Sequence, residues 1–285
     1  MSRLFEALQR SEPEGLRFDF VPPEAATNQP LTTSEVAPPN GGTQIHELEP
    51  FPSLPISVLS DSRLVSLSEN ESLGAEKFRF LAVRLRQIQQ ARHLKKLLIT
   101  STIPEEGKSM VSGNLAVTLA RRKQQKVLLL DGDLRRPVLA REFGLAQLAG
   151  LSECLLGEPR PIPNIYHLDR AGVWFLPAGK VPENPLELMQ SGRLLQLLDQ
   201  LSACFDWIII DSPPILPLAD TSVWTRIADG VLLVTREGTT QKRQLQRGLE
   251  ALNQSKLLGV VFNSSTNADH SNYYQRYSRI VPLTK

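Results

Sequence analysis

The sequence predicts an α/β fold in three layers, with a mostly parallel sheet covered by helices on both faces and a disordered segment ahead of it. Three observations carry this. Six short, continuously apolar runs lie between Lys95 and Asn263, and strands buried on both faces read that way rather than as an alternation. Stretches with apolar residues every three or four positions separate most of these runs, which is the pattern of crossover helices in a parallel sheet. Residues 1–70 have a different composition, crowded with proline and small polar residues, and bury too little apolar surface to offset their ordering entropy.

In order along the chain, Pro13, Pro22, Pro23, Pro30, Pro38, Pro39, Pro50, Pro52 and Pro55 sit among Ser, Thr, Glu and Gly. Within this segment Met1–Arg10 stands apart, because Leu4, Phe5 and Leu8 share one helical face. Such a stripe either docks on a partner or belongs to a short helix that frays. The folded domain is expected over 71–264. "EKFRFLAVRLRQIQQ", Glu76 to Gln90, is helical, with Phe78, Leu81, Leu85 and Ile88 as its apolar stripe. "KKLLITS" is the first strand, and the helix Ser109–Arg122 follows its loop. "KVLLLDGD" and "VWFLPAG" are the next strands, and "LELMQSGRLLQLLDQLSACF" is one long helix. "DWIIIDSPP" and "DGVLLVTR" follow as strands, then the helix Thr240–Gln254 and the last strand, "KLLGVVFN". Residues 265–285 form a polar tail.

A length of 285 residues with 41% hydrophobic and 22% charged residues is that of a soluble globular protein. The formal net charge of +2 argues neither for nor against nucleic acid, and no nucleic-acid partner is expected. Cys154 and Cys204 have no metal-ligand spacing and suggest a reducing compartment. No apolar run has the length of a membrane span and no signal peptide opens the chain, so a cytoplasmic location is expected, with any membrane association through a partner.

"TSTIPEEGKSMVSGNLA", Thr100 to Ala116, ends in the Gly-Lys-Ser of a phosphate-binding P-loop, between a strand and a helix as that motif requires. Backbone N–H groups converging at a helix N-terminus cradle phosphate oxygens. Glu105, Glu106, Gly107, Lys108, Ser109 and Met110 form the expected nucleotide-binding stretch. Lys108 neutralises the β- and γ-phosphates, and the Ser109 hydroxyl is offered to Mg2+. Thr102 and Glu105 stand where glycine is usual. A glycine-free loop at Glu105 must either avoid a positive φ or strain it.

Asp131, Asp133 and Asp211 close two further apolar strands, at the sheet edge where ligands of open α/β folds bind. Asp131 and Asp133 are two apart and face one side of an extended strand. A divalent cation relieves the repulsion of such a group, and Ser109, Asp131 and Asp211 are its candidate holders. Asn263, ending the last strand, is placed to meet a purine edge. Arg135 and Arg136 are read as orienting the acidic loop, as stabilising phosphate charge, or as solvated charges.

This set of motifs resembles the bacterial tyrosine kinases, the P-loop autokinases of polysaccharide export. Ser101–Ser109 is similar to their phosphate loop S-x-x-P-G-x-G-K-[ST]. Val127–Pro137 is similar to their Walker A′ strand ending D-x-D-L-R-x-P, and Ile208–Pro214 to their Walker B strand ending D-[ST]-P-P. The resemblance implies ATP and Mg2+, with Lys108, Asp131 and Asp133 as catalytic residues, and it covers Glu76 to Asn263 and extends into the tail. Asp133 or Asp131 would take the proton of the incoming tyrosine, whose free pKa is near ~10.

The opening "MSRLFEALQR" is similar to members made as chains separate from their membrane adaptor. That resemblance implies an activating membrane adaptor or polysaccharide co-polymerase and a cognate tyrosine phosphatase. The family's ring motif E-x-x-R-x-x-R is matched by Glu76 and Arg79, with Ala82 in the last place, and implies self-association. Tyr273, Tyr274 and Tyr277 gather three of the chain's four tyrosines within five residues. Their polar neighbours suit an accessible tail better than a packed lid, and in the family such a cluster is autophosphorylated. The alternative reading is a septum-site or chromosome-partition ATPase, a nucleotide-dependent oligomerisation switch. Those proteins carry an early lysine in K-G-G-x-G-K, and no lysine precedes Lys108 between Ile103 and Gly107.

Overall fold

A computed structural model describes residues 51–57, 62–69, 71–122, 125–157, 164–216, 219–252 and 254–264. In chain order the elements are β1 (Ser53–Leu54), α1 (Val65–Ser68), α2 (Leu73–Ala91), β2 (Lys96–Ser101), α3 (Lys108–Ala120), β3 (Val127–Asp131), α4 (Leu139–Glu142) and α5 (Leu151–Leu156). There follow β4 (Tyr166–Leu168), β5 (Val173–Leu176), α6 (Pro185–Gln190), α7 (Arg193–Cys204), β6 (Trp207–Asp211), α8 (Asp220–Ile227), β7 (Gly230–Arg236), α9 (Lys242–Ala251) and β8 (Leu257–Asn263).

The strands form one sheet in the order β1-β4-β5-β3-β6-β2-β7-β8. From β5 to β8 every pairing is parallel. β4 runs antiparallel to β5, and β1 parallel to β4. The mostly parallel sheet covered on both faces is therefore the fold that the apolar runs predict. Alternate side chains of each strand go to opposite faces. Leu97, Ile99, Leu129, Ile209 and Val234 meet α2 and α3 in one core, while Leu98, Leu130, Ile208, Ile210 and Leu233 meet α7 and α8 in the other.

Right-handed crossovers decide where the site falls. The connection from β2 passes β6 to reach β3, and the connection from β6 passes β2 in the opposite sense to reach β7. α3 and α8 consequently lie on opposite faces, and the loops leaving β2, β3 and β6 gather at one edge. α3 is buried nearly all round, because it lies between the sheet, α2 and α1.

Two details differ from expectation. The single long helix predicted over Leu186–Phe205 is two helices, because Gly192 takes a left-handed φ of +79° between α6 and α7. Folded structure also reaches further toward the N-terminus than the expected boundary at residue 71. Ile56 and Leu64 are core residues, and α1 docks on α3. The dock is specific: Ser66 N donates to Asn114 Oδ1 (2.8 Å), and Asn114 Nδ2 donates to the Arg63 carbonyl (2.9 Å). Gly113 makes room for it, since a Cβ there would lie 2.8 Å from Leu64 Cδ2. The predicted Met1–Arg10 helix, the rest of residues 1–50, and the tail with Tyr273, Tyr274 and Tyr277 lie outside the described residues.

Leu64 is 1% exposed and Phe80, on the outer side of α2, is 64% exposed. Leu64→Ala is expected to lower stability in urea denaturation by about 2–5 kcal/mol, and Phe80→Ala by no more than about 0.5 kcal/mol. Equal, small losses would show that α1 is not part of the cooperative unit.

Candidate functional site

The phosphate loop is held by buried side chains more than by glycines. Glu105 adopts φ +66° and Gly107 φ +91°. A left-handed conformation costs a non-glycine residue roughly 1–2 kcal/mol, so the loop takes the strained of the two alternatives open at Glu105. Glu106 is fully buried. Its Oε2 accepts from Ile103 N (2.8 Å), its Oε1 accepts from the Thr240 hydroxyl, and its carbonyl accepts from Asn263 Nδ2 (2.9 Å). Thr102 turns away from the loop, toward α9, where a Cβ on Gly248 would lie 3.1 Å from both its Cγ2 and its Oγ1. Gly107 caps α3 without a side-chain hydrogen bond, so the helix N-terminus opens at the end of the loop with its positive dipole end free of a capping side chain.

Asp131 and Asp211 stand opposite each other in the β3–β6 register, and they are 1% and 0% exposed. Asp131 accepts from Leu139 N (3.2 Å) and Asp133 N (3.3 Å). Asp211 Oδ1 accepts from Ser112 Oγ (3.1 Å), while its Oδ2 is buried without a hydrogen bond of good geometry among the described residues, the Ser109 hydroxyl lying close to the carboxylate. Asp133 follows the strand. Its Oδ1 accepts from Arg135 N (3.3 Å) and Arg136 N (3.0 Å), and its Oδ2 pairs with Lys108 Nζ (3.1 Å). Lys108 Nζ also lies 3.4 Å from Ser109 Oγ.

The titration of this group follows from its burial. Desolvation, then the Asp211 charge, holds the Asp131 carboxyl well above the usual carboxylate range. Desolvation also raises Asp211, against the lowering effect of Lys108 and the Ser109 and Ser112 hydroxyls. Burial alone would lower Lys108, but Asp211 and Asp133 hold it above its ordinary value.

A cleft of about 870 Å³ opens beside these groups. Of the predicted residues, Glu105, Gly107, Lys108, Ser109, Met110, Asp133, Arg135 and Arg136 line it; Glu106, Asn263, Asp131 and Asp211 are not part of that lining. Asn263 is engaged with the loop itself, its Nδ2 on the Glu106 carbonyl and its Oδ1 accepting from Ser264 N (2.9 Å). Sequence reasoning did not find Arg63, Arg141 or Arg236, which also line the cleft. Arg236 ends β7 at the ligand-binding edge of the sheet, a signal that could have found it. Ser112 was missed as well, although it lies one helical turn from Lys108 and so on the same face. On α2, Glu76 and Arg79 form an exposed ion pair, and Ala82 is buried against the core.

The donor set fits a magnesium ion. The orphaned Asp211 Oδ2 and the close, dry pairing with Asp131 favour a cation between them, with the Ser109 hydroxyl near by. Among the described residues no three His, Cys, Asp or Glu side chains form a ready metal cluster. Magnesium asks for one or two protein carboxylates and keeps several waters.

No protein-family model matches the chain. It is 35% identical to the Bacillus subtilis "Tyrosine-protein kinase YwqD" over 74% of this chain and 89% of that one. It is 32% identical to the Staphylococcus aureus "Putative tyrosine-protein kinase CapB" over 73% and 91%. The kinase domain of Escherichia coli tyrosine kinase ETK superposes with a TM-score of 0.66 at 30% identity, covering 72% of this chain and 82% of that chain. Cyanothece McdA is more distant, with a TM-score of 0.52 at 25% identity, covering 68% and 84%.

The raised carboxylates make stability depend on pH. A folded state whose carboxyls titrate above their unfolded values binds more protons, so this contribution is fully present below the unfolded pKa and is lost as pH rises through the folded ones. Without nucleotide or divalent cation, wild type is therefore expected to lose stability relative to Asp131→Asn as pH rises from acid to neutral, leaving the variant the more stable at neutral pH. Parallel urea-denaturation series for the two chains measure this. A wild type that gains on the variant over that window would contradict the assignment.

Proposed function

The chain belongs to the bacterial tyrosine kinases, and from that premise we propose how its cleft moves the γ-phosphoryl group of ATP to tyrosine. The reaction is protein-tyrosine phosphorylation, and the observation that carries the residue assignment is the Lys108–Asp133 pair at the cleft, backed by the unpartnered Asp211 Oδ2. The phosphates of ATP would lie at the N-terminus of α3, where backbone N–H groups and the helix dipole favour anions. Lys108 would exchange part of its contact with Asp133 for the β- and γ-phosphates. Asp133, freed on one oxygen and open to the cleft, is then the group that takes the tyrosine proton. Asp131, buried behind it, would serve with Ser109 and Asp211 to hold Mg2+, which when bound neutralises charge on the transferring phosphates.

The acceptors in this reading are Tyr273, Tyr274 and Tyr277. Ten residue steps separate Asn263 from Tyr273, a reach of at most ~33–36 Å, enough for a tail to enter its own cleft or a neighbour's. Among the described residues no helix is long and apolar enough to cross a membrane. The proposed setting is the inner face of the membrane, reached through a membrane adaptor of a polysaccharide export system that also activates the kinase. A cognate tyrosine phosphatase would reset the tail. Self-association through Glu76 and Arg79 would differ from the family's ring motif, because its third position, Ala82, points into the core. The loop without an early lysine favours phosphoryl transfer to tyrosine over a partition-type switch.

Transfer between molecules is the expected route. A Lys108→Met chain with its tyrosines intact is mixed with an active chain whose Tyr273, Tyr274 and Tyr277 are Phe, in Mg·ATP with adaptor fragment present. Phosphotyrosine on the Lys108→Met chain is expected. None on it, while wild type alone is labelled at a concentration-independent rate, means each tail serves its own site. No phosphotyrosine on wild type would sink the reading.

A further inference from the structure

The turn that carries Asp133 is also held by groups outside the phosphate loop. β3 ends at Asp131, and the chain bends at Gly132, whose N–H donates to the Asp211 carbonyl (2.7 Å). The Gly132 carbonyl accepts from Trp224 Nε1 (3.2 Å), and a Cβ on Gly132 would come within 2.7 Å of the Trp224 ring. Arg135 closes the turn from the other side. Its Nε and Nη2 donate to the two oxygens of Asp220, at 2.5 and 3.1 Å. Asp220, Thr221 and Trp224 share one face of α8, and the Thr221 hydroxyl donates to the carbonyls of Pro213 (3.0 Å) and Pro214 (3.1 Å) after β6. One short helix thus grips both acidic loops.

We propose that Asp220 and Arg135 are positioning residues for phosphoryl transfer, tying the turn that carries Asp133 to α8 and so aiming Asp133 Oδ2 into the cleft. The inference rests on the proposed role of Asp133. Three features support it beyond the contact itself. A bidentate guanidinium–carboxylate pair fixes direction as well as distance. The N–H groups that hold Asp133 Oδ1 belong to Arg135 itself and to Arg136, so any swing of Arg135 is passed directly to the carboxylate. Stability is a poor account of the pair: the Asp220 side chain is 2% exposed and that of Arg135 39%, and a buried carboxylate in an ion pair gains little over neutral groups of the same shape. Asp220 also holds a cation away from Asp133. Without it, the Arg135 guanidinium, two residues along, would compete with Lys108 for the same carboxylate.

The test uses the full chain with adaptor fragment and the variants Arg135→Gln, Asp220→Asn and the two combined. Thermal unfolding, kcat and KM for ATP in tail phosphorylation, and ATP hydrolysis without transfer to tyrosine are measured for each. The double variant leaves no unpaired buried charge and is the one that keeps the proposal testable if a single variant fails to fold. It is expected to fold like wild type and to lose kcat roughly ten- to a hundred-fold, with KM for ATP changed by no more than about two-fold. Hydrolysis should be reduced less than transfer to tyrosine. Losses should be non-additive, the double variant being no worse than the poorer folded single. A folded double variant with wild-type kcat overturns the proposal, as does one whose losses multiply or one whose KM for ATP rises while kcat holds. Asp133→Asn, measured alongside, separates the two claims: full transfer in that variant overturns the role of Asp133, whereas an inactive Asp133→Asn beside a fully active double variant overturns only the positioning role.

Discussion

Asp131 and Asp211 end adjacent parallel strands in register, both almost wholly removed from water, with Asp133 and Lys108 next to them. Carboxylates this close in a low-dielectric setting resist joint ionisation, and a domain selected only for stability would not keep them. Their presence explains the surroundings. Ser112 supports one oxygen of Asp211 and leaves the other without a partner, while backbone N–H groups take up the oxygens of Asp131. The cluster is short of positive charge by construction, and it lies beside a helix N-terminus that suits phosphate. A magnesium–nucleotide complex brings to such a place both the cation and the anion that its two halves lack.

The phosphate loop meets its own constraint in an unusual way. Where glycines would let the chain turn freely, this chain carries Thr102 and Glu105. Thr102 is accommodated by facing α9, and Glu105 by accepting a left-handed backbone. The strain at Glu105 is sustained by Glu106, whose carboxylate is tied to Ile103 and Thr240 and whose carbonyl is tied to Asn263. β8 and the turn before α9 therefore shape the loop from outside, and the loop is preorganised by buried hydrogen bonds. Asn263 serves here as a brace for the loop.

Much of this was legible in the sequence, because the signals are local. Continuous apolar runs gave the central strands, and a Gly-Lys-Ser after a strand placed the phosphate loop. Aspartates ending apolar runs located the acidic edge. Register was not legible: nothing in either strand alone says that Asp131 and Asp211 face each other, or that Asp133 lies past the strand and turns into the cleft. Leu64 and Ile56 were hidden by the proline-rich composition of residues 1–70, since the burial of Leu64 depends on Gly113, some fifty residues away on α3, and Ile56 joins the same core. Gly192 splits the predicted long helix through a backbone angle that composition does not announce. Arg135 was in view, but its partner Asp220 lies beyond β6 and meets it only once α8 packs across the sheet.

The most direct measurement of the central claim is calorimetric. A non-hydrolysable ATP analogue is titrated into the full chain at neutral pH, with Mg2+ and with Mg2+ chelated, in buffers of different ionisation enthalpy. Binding in the presence of Mg2+ is predicted to be much tighter and to release protons, because a cation held by Ser109, Asp131 and Asp211 favours the ionised forms of the two carboxyls, which burial raises above the usual carboxylate range in the free protein. Equal affinity in both conditions, with no proton released in either, would contradict the account.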